Sequence, residues 1–158
     1  MNFKEVLIPG EFVKRYKRFF VDVKIANKIF TAHCPNTGSM MGLLKEGSRV
    51  WLSKSDNPKR KLKYTLEIIE DRKSKVGVNT HQTNNIVLDG LNTSNIEGFK
   101  DLDMIQKEVK FGKDTRFDFL VTKKEKKSFI EVKNVTLSRK KGIAEFPDAV
   151  TSRGLKHI

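Results

Sequence analysis

Residues 19–33 read FFVDVKIANKIFTAH, a stretch in which two runs rich in β-branched and aromatic residues flank a short turn. The runs at 19–25 and 29–33 are typical of strands, and Ala26-Asn27-Lys28 between them has the chemistry of a tight turn. Two further runs of the same kind follow, at 49–53 and 64–69. Several short strands separated by turns predict a small barrel. We expect a five-stranded OB-like barrel, an architecture that commonly presents one face to oligonucleotides.

The pattern changes after residue 80. Apolar residues between 86 and 99 are spaced like those of an interrupted helix, and extended runs follow at 104–111, 116–122 and 128–135. These runs predict an antiparallel meander after a helix. The expected fold is therefore α+β, with a barrel at 1–80 and an α/β domain at 81–158. A further helix is expected from Pro147, and because the chain stops without a helix-terminating signal, we expect the second domain to be incomplete.

The formal charge of +13, from 32 Lys and Arg against 19 Asp and Glu, favours a polyanionic partner. Cations that neutralise phosphates release condensed counterions and so bind nucleic acid without regard to sequence. The excess is larger in residues 1–79, which hold 17 basic and 8 acidic residues, than in the remainder, which holds 15 and 11. We expect DNA or RNA to bind mainly to the barrel. Solubility alone is the competing explanation of the charge.

Two basic strings are the candidate nucleic-acid contacts. The first interleaves cations with an aromatic ring and the second concentrates cations in a loop, as in proteins that track a phosphate backbone and stack bases. Their residues are Lys14, Arg15, Tyr16, Lys17 and Arg18, and then Lys59, Arg60 and Lys61. Phe19, at the end of the first string, is expected to lie in the core.

A possible chemical centre lies in the last two extended runs, where Asp118 and Glu131 stand among apolar neighbours and Lys133 follows two residues later. Pairing of the two strands can bring the carboxylates together, and a divalent cation such as Mg²⁺ relieves their repulsion. A nearby lysine can then stabilise the charge that develops at a scissile phosphate. Asp118, Glu131 and Lys133 are thus candidate catalytic residues, and Asp118, Glu131 and Glu108 candidate metal ligands. The alternative is a set of solvated cross-strand ion pairs.

Other features of the sequence argue against a disulfide-bonded, cysteine-rich zinc-binding, secreted or membrane-spanning protein. The single cysteine, Cys34, can form neither an internal disulfide nor a cysteine-rich zinc site. The first residues lack the apolar core of a signal peptide, and no segment approaches the roughly 20 apolar residues that span a bilayer. We expect a cytoplasmic protein that does not enter a membrane.

Strings along the whole chain resemble the sugar fermentation stimulation protein A (SfsA) family. They lie at residues 15–19, 33–40, 55–61, 108–112, 130–137 and 146–151. The resemblance implies a DNA-binding protein with a suspected role in regulating sugar metabolism, built from an OB-like barrel and a nuclease-like domain. The second domain is also similar to the PD-(D/E)xK nuclease superfamily, with Glu131-Val132-Lys133 as the (D/E)xK element and Phe117 where a proline often precedes the aspartate. The sequence leaves open nuclease activity, the choice between DNA and RNA, binding without catalysis, and oligomeric state.

Overall fold

A computed structural model describes residue 3, residues 5–113 and residues 115–146. The described residues form two compact units. Of the described residues, the barrel unit contains those up to Thr80 together with residues 134–146, and the second unit contains residues 81–113 and 115–133. The helix expected from Pro147 lies outside the described residues.

Six strands form the sheet of the barrel unit. They are β1 (Ile8–Tyr16), β2 (Phe20–Ile25), β3 (Lys28–His33), β4 (Arg49–Lys54), β5 (Tyr64–Asp71) and β6 (Ser74–Gly77). Their order is β3-β2-β1-β4-β5-β6, and a parallel pairing of His33 with Thr65 joins β3 to β5. That pairing closes five strands into a barrel and confirms the predicted OB-like architecture. The predicted runs correspond to β2 to β5, whereas β1 and β6 were not predicted.

The alternation along each strand fills the barrel interior. In β2, Val21 and Val23 are fully buried, while Asp22 and Lys24, which alternate with them along the strand, reach solvent. Every strand of the barrel contributes to the core, because the inward positions of a closed sheet meet at its centre. The buried apolar residues are Phe12, Val21, Val23, Ala32, Cys34, Met40, Leu43, Val50, Leu52, Leu66, Ile69 and Val78.

Residues 134–146 belong to the barrel unit, although they follow the second unit along the chain. Thr136 and Leu137 are buried, and Asn36 Nδ2 donates to Thr136 Oγ1 at 3.1 Å. The backbone N–H of Ser138 donates to the carbonyl of Met41 at 3.1 Å. Gly42, with φ +89°, lies so close that a Cβ there would be 1.9 Å from the Ser138 carbonyl oxygen. Only glycine fits this approach.

The second unit places one helix on a three-stranded sheet. A short 3-10 helix (Thr80–Gln82) precedes α1 (Thr83–Asn92), and the strands are β7 (Met104–Phe111), β8 (Thr115–Lys123) and β9 (Lys126–Ile130), in the order β7-β8-β9. Leu91, Phe119 and Val121 form the buried cluster between helix and sheet. The predicted last strand extended to residue 135, whereas β9 ends at Ile130, so Glu131 and Lys133 follow the strand instead of lying within it.

Candidate functional site

Two loops rich in lysine and arginine lie at the same end of the barrel. The first basic loop is residues 17–19, between β1 and β2, and the second basic loop is residues 55–63, between β4 and β5. Phe20, directly after the first loop, pairs with His33, and His33 pairs with Thr65, two residues after the second loop. The strand register therefore brings both loops to one rim of the barrel, where OB-folds commonly bind oligonucleotides.

Most of the predicted nucleic-acid contacts are exposed at or near this rim. The exposed residues are Lys14, Tyr16, Lys17, Arg18, Lys59 and Lys61. Arg60 is half-buried and donates from Nη2 to Thr65 Oγ1 at 2.7 Å. Lys14 lies 3.8 Å from Asp22, but its side chain is 67% exposed, so this ion pair leaves the ammonium accessible.

Tyr16 and Phe20 form an aromatic pair on the outer face of β1 and β2. Their ring centroids are 5.6 Å apart with planes 14° from parallel, and the Lys14 ammonium lies 5.8 Å from the Tyr16 centroid. The Tyr16 hydroxyl donates to Asp22 Oδ1 at 3.3 Å, which holds the ring against the strand. A half-exposed ring held flat beside a cation is suited to stacking on a base.

Arg15, the remaining member of the predicted set, makes contacts within the protein. Its guanidinium donates to the backbone carbonyls of Asn36 at 2.5 Å, Gly38 at 2.8 Å and Arg18 at 2.9 Å. The same side chain also reaches the Ser39 carbonyl at 3.2 Å. With its donors used in this way, Arg15 braces the loop after β3.

The prediction that Phe19 lies in the core is wrong. Phe19 is 45% exposed. It lies in the first basic loop, where Lys17 and Arg18 both have positive φ, 47° and 60°, and it donates its backbone N–H to the Lys17 carbonyl. The turn therefore ends before Phe20, and Phe20 is the aromatic residue that packs on the strand.

Asp118 lies on β8 with a separate donor on each carboxylate oxygen. Asn84 Nδ2, from the first turn of α1, donates to Oδ1 at 2.8 Å, and the backbone N–H of Val132 donates to Oδ2 at 2.7 Å. Asp118 thus lies toward α1, as does the next residue, Phe119, which packs in the cluster with Leu91. The strict alternation of a strand is interrupted between these two residues.

Glu131 and Lys133 contact each other. Lys133 Nζ donates to Glu131 Oε1, with side-chain exposures of 42% and 26%. The last pair of the β8–β9 ladder is Phe119 with Ile130, so Asp118 and Glu131 occupy the next position of the same register. The Val132 contact ties Asp118 to the residue between Glu131 and Lys133. These three predicted residues therefore belong to one region at the end of β9.

Glu108 lies opposite Asp118 in the β7–β8 ladder, between the pair of Lys107 with Phe119 and the pair of Val109 with Phe117. It has φ +54° in β7 and lies 3.7 Å from Arg116, with both side chains more than half exposed. Among the described residues, no group of three or more His, Cys, Asp or Glu side chains is placed to hold a metal ion.

The sequence reasoning missed Asn84. It is separated from Asp118 by 34 positions, and an asparagine near a helix start is an ordinary feature of a sequence. Its role depends on how α1 packs on the sheet, which no local pattern specifies.

Comparisons with known proteins agree with this architecture. Residues 13–78 match the family model described as the SfsA N-terminal OB domain, and residues 81–158 match the sugar fermentation stimulation protein RE domain. The sugar fermentation stimulation protein homolog of Pelagibacter ubique (strain HTCC1062) is 60% identical over 158 residues, which are 100% of this chain and 68% of that relative. The chain belongs to the sugar fermentation stimulation protein family. This confirms the resemblance drawn from the sequence.

Other members of the sugar fermentation stimulation protein family are similar over the same region. The homolog of Maricaulis maris (strain MCS10) is 47% identical over 100% of this chain and 68% of its own, and that of Synechocystis sp. 50% identical over 96% and 66%. A solved structure described as Pyrococcus furiosus SfsA in complex with Ca²⁺ matches with a TM-score of 0.81 at 24% identity, covering 99% of this chain and 66% of that one. It shares the fold. The chain spans about two thirds of the length of these relatives.

One further finding concerns membranes. No helix in the described ranges is both long enough and apolar enough to cross a bilayer.

Proposed function

We propose that this protein binds DNA across the barrel rim formed by the two basic loops and the Tyr16–Phe20 pair. The observation that carries the proposal is the convergence of two separate basic strings on one rim through the pairings of Phe20, His33 and Thr65. Lysines at the rim would meet phosphates and Tyr16 would stack on a base. The name of the relatives connects the family to sugar fermentation. We extend that connection to this chain as a role in regulating sugar metabolism through DNA.

The test compares two matched triple variants in DNA-binding assays at several salt concentrations. Lys59→Ala, Lys61→Ala and Lys63→Ala remove exposed lysines from the second basic loop. Lys124→Ala, Lys126→Ala and Lys127→Ala, the turn triple, remove exposed lysines from the β8–β9 turn and the start of β9. The rim triple should weaken binding to unrelated sequences alike and lower the salt slope by up to about 2.7, at about 0.9 for each phosphate contact. The turn triple should change the salt slope by less than about 0.9, the contribution of one phosphate contact.

Equal losses in the two triples, or an affinity that does not change with salt, would overturn the rim assignment. Parallel titrations with an RNA oligonucleotide of the same sequence decide between the nucleic acids. If RNA binds more tightly than DNA of the same sequence, the protein is an RNA-binding protein. Tyr16→Ala should weaken binding to single strands more than binding to duplexes, because only unpaired bases are free to stack.

A second function, metal-dependent cleavage of phosphodiesters, is supported by the contacts around Asp118. Two carboxylates fit Mg²⁺, which prefers oxygen ligands and keeps several waters when it is bound by one or two of them. Asp118 and Glu131 would hold the ion. Among the described residues, Lys133 donates to one Glu131 oxygen, and each Asp118 oxygen accepts one N–H, which leaves acceptor positions on both carboxylates. The Pyrococcus furiosus neighbour, solved with Ca²⁺, is consistent with a cation in this family.

The ion would activate water and neutralise the scissile phosphate. Lys133, tied to Glu131, would place its ammonium beside the same phosphate and stabilise the charge that develops there. Glu131 holds that ammonium in position between turnovers, and Asp118 keeps its orientation through the donors from Asn84 and Val132. A protein that binds DNA but shows no cleavage with Mg²⁺ or Mn²⁺ would be a binding-only regulator.

A further inference from the structure

Asn84 contacts the carboxylate on which the proposed cation centre depends. It is the second residue of α1, and its side chain crosses from the helix to β8 to reach Asp118 Oδ1 at 2.8 Å. The chemistry fixes which end of the amide makes this contact. An ionised carboxylate only accepts hydrogen bonds, so the amide must present its N–H group and not its oxygen.

The second donor makes the contact with Asn84 an orienting one. One donor leaves a carboxylate free to rotate about the bond to its Cβ, whereas donors on both oxygens fix the plane of the group. Val132 donates its backbone N–H to Oδ2 at 2.7 Å, so Asp118 is fixed between the helix and the segment that carries Glu131. A carboxylate has about four acceptor positions. One position on each oxygen therefore remains for a cation.

We propose that Asn84 is a positioning residue that fixes the Asp118 carboxylate for a divalent cation. This rests on the proposed cation centre. An amide suits the position because it donates a hydrogen bond without adding charge. A lysine there would neutralise Asp118 and compete with the cation, and an acid would repel Asp118. Partners that orient metal-binding carboxylates commonly change metal affinity 10- to 100-fold when they are removed.

Asn84 is not needed to hold α1 on the sheet. The helix is also attached through its apolar face, where Val87, Leu88 and Leu91 pack with Phe119 and Val121. Loss of one hydrogen bond at the first turn should thus leave the helix docked. Asn85, the next residue, offers a matched control, because its amide is exposed and donates to Gln82 Oε1 within its own turn.

The experiment measures Mn²⁺ binding to the full chain by isothermal titration calorimetry. Asn84→Ala should weaken Mn²⁺ binding about 10- to 100-fold, while Asn85→Ala should bind as the wild type does. Melting temperatures without metal are recorded for both variants. A purely structural role would lower the melting temperature of Asn84→Ala and leave its Mn²⁺ affinity unchanged.

A second variant and a direct measurement guard against misfolding. Asn84→Asp keeps the shape but replaces the donor with a charge, so it should melt lower than the wild type without metal and gain more stability from Mn²⁺. In the unaltered protein, the ¹⁵N side-chain amide signal of Asn84 should shift as Mg²⁺ is added, and that of Asn85 should not.

Two failures are distinguishable. If wild type and Asp118→Asn bind Mn²⁺ equally or not at all, the cation centre fails and the inference about Asn84 fails with it. If Asp118→Asn loses Mn²⁺ binding but Asn84→Ala retains wild-type affinity, or the Asn84 signal does not move with Mg²⁺, the centre stands and the role of Asn84 is overturned.

Discussion

The barrel unit and the second unit differ in how they bury apolar side chains. Strands β1 to β5 each contribute a buried residue to one core, β6 adds the partly buried Val76, and the sheet closes on itself through His33 and Thr65. In the second unit the buried cluster consists of Leu91, Phe119 and Val121, and the outer strands of the sheet contribute residues that are only partly buried. Within the described residues, the barrel encloses its own hydrophobic core, whereas the second unit buries only one face of its sheet, beneath the helix.

The second unit also carries a partly exposed aromatic cluster. In the second unit, the rings of Phe111, Phe117 and Phe129 pack together with centroids 4.9 to 5.8 Å apart, yet Phe111 is 55% exposed and Phe129 40%. In the barrel, rigidity comes from packing and the rim can present cations on a fixed frame. In the second unit, the geometry at Asp118 depends more on specific polar contacts. DNA affinity and phosphodiester cleavage are therefore expected to respond to substitutions in different units.

The largest expected effect comes from a matched pair of leucines, Leu66→Ala in the barrel and Leu91→Ala in the second unit. Both side chains are buried, with exposures of 0% and 2%, so the two substitutions remove the same atoms from side chains of nearly equal burial. Large-to-small substitutions of this kind cost about 2 to 5 kcal/mol, and the cost rises where neighbours cannot collapse into the cavity. We expect Leu66→Ala near the top of that range and Leu91→Ala near the bottom.

Urea unfolding followed by two signals separates the units. Trp51, the single tryptophan, lies on β4 and reports the barrel, whereas far-ultraviolet circular dichroism reports both units. Leu66→Ala should move the fluorescence transition, and Leu91→Ala should move only the part of the dichroism signal that Trp51 does not follow. Equal costs, or a larger cost at Leu91, would contradict the contrast between a closed core and a partly covered one.

The next effect tests whether binding and chemistry separate between the units. Lys133→Ala should lower Mg²⁺-dependent cleavage about 100-fold or more, the usual loss when one positioned donor to the transition state is removed. DNA affinity should stay nearly unchanged, because the rim lysines lie in the barrel. Lys126→Ala removes an exposed lysine from the same unit and is the control. Parallel loss of cleavage and affinity in Lys133→Ala would show that the units do not divide these tasks.

Much of the barrel could be predicted from the sequence because its signals are local. The alternation in β2 to β5 and the turn at Ala26 and Asn27, both with positive φ, belong to short stretches of chain. β1 was missed because Pro9 and Gly10 look like strand breakers and a register shift between Phe12 and Lys14 interrupts the alternation. The bulge bends the strand, which is useful in a closed barrel but hides the strand from a period-two pattern.

The candidate sites were predicted as residue types but not as contacts. Glu131 and Lys133 were singled out by their spacing, but their ion pair was not predicted. The roles of Arg15 and Asn84 depend on partners 21 and 34 positions away, which only the folded chain brings close. For the same reason nothing local indicated that residues 134–146 return to the barrel.

The smallest expected effect is a dependence on alkaline pH that belongs to the barrel alone. Burial raises the pKa of the Cys34 thiol above its usual range, and the charge of Arg15 only partly opposes that shift. The folded protein therefore holds the thiol proton more tightly than the unfolded chain does. The stability that this proton contributes is fully present below the unfolded pKa, about 8.5, and is lost as pH rises from there through the folded value, by at most about 1.4 kcal/mol per pH unit.

Cys34→Ala should remove that slope, although the lost sulfur contact with Met40 should lower stability slightly at neutral pH. Because lysines and tyrosines also titrate in this range, the quantity to measure is the difference between wild type and Cys34→Ala in the Trp51 unfolding transition from pH 7.5 to 10. The difference should shrink as pH rises, since only the wild type has a thiol that ionises more readily in the unfolded chain than in the folded protein. A difference that stays constant across the range would mean that the thiol ionises as easily in the folded barrel as in the unfolded chain. The barrel core around Cys34 would then be more open to water than its packing indicates.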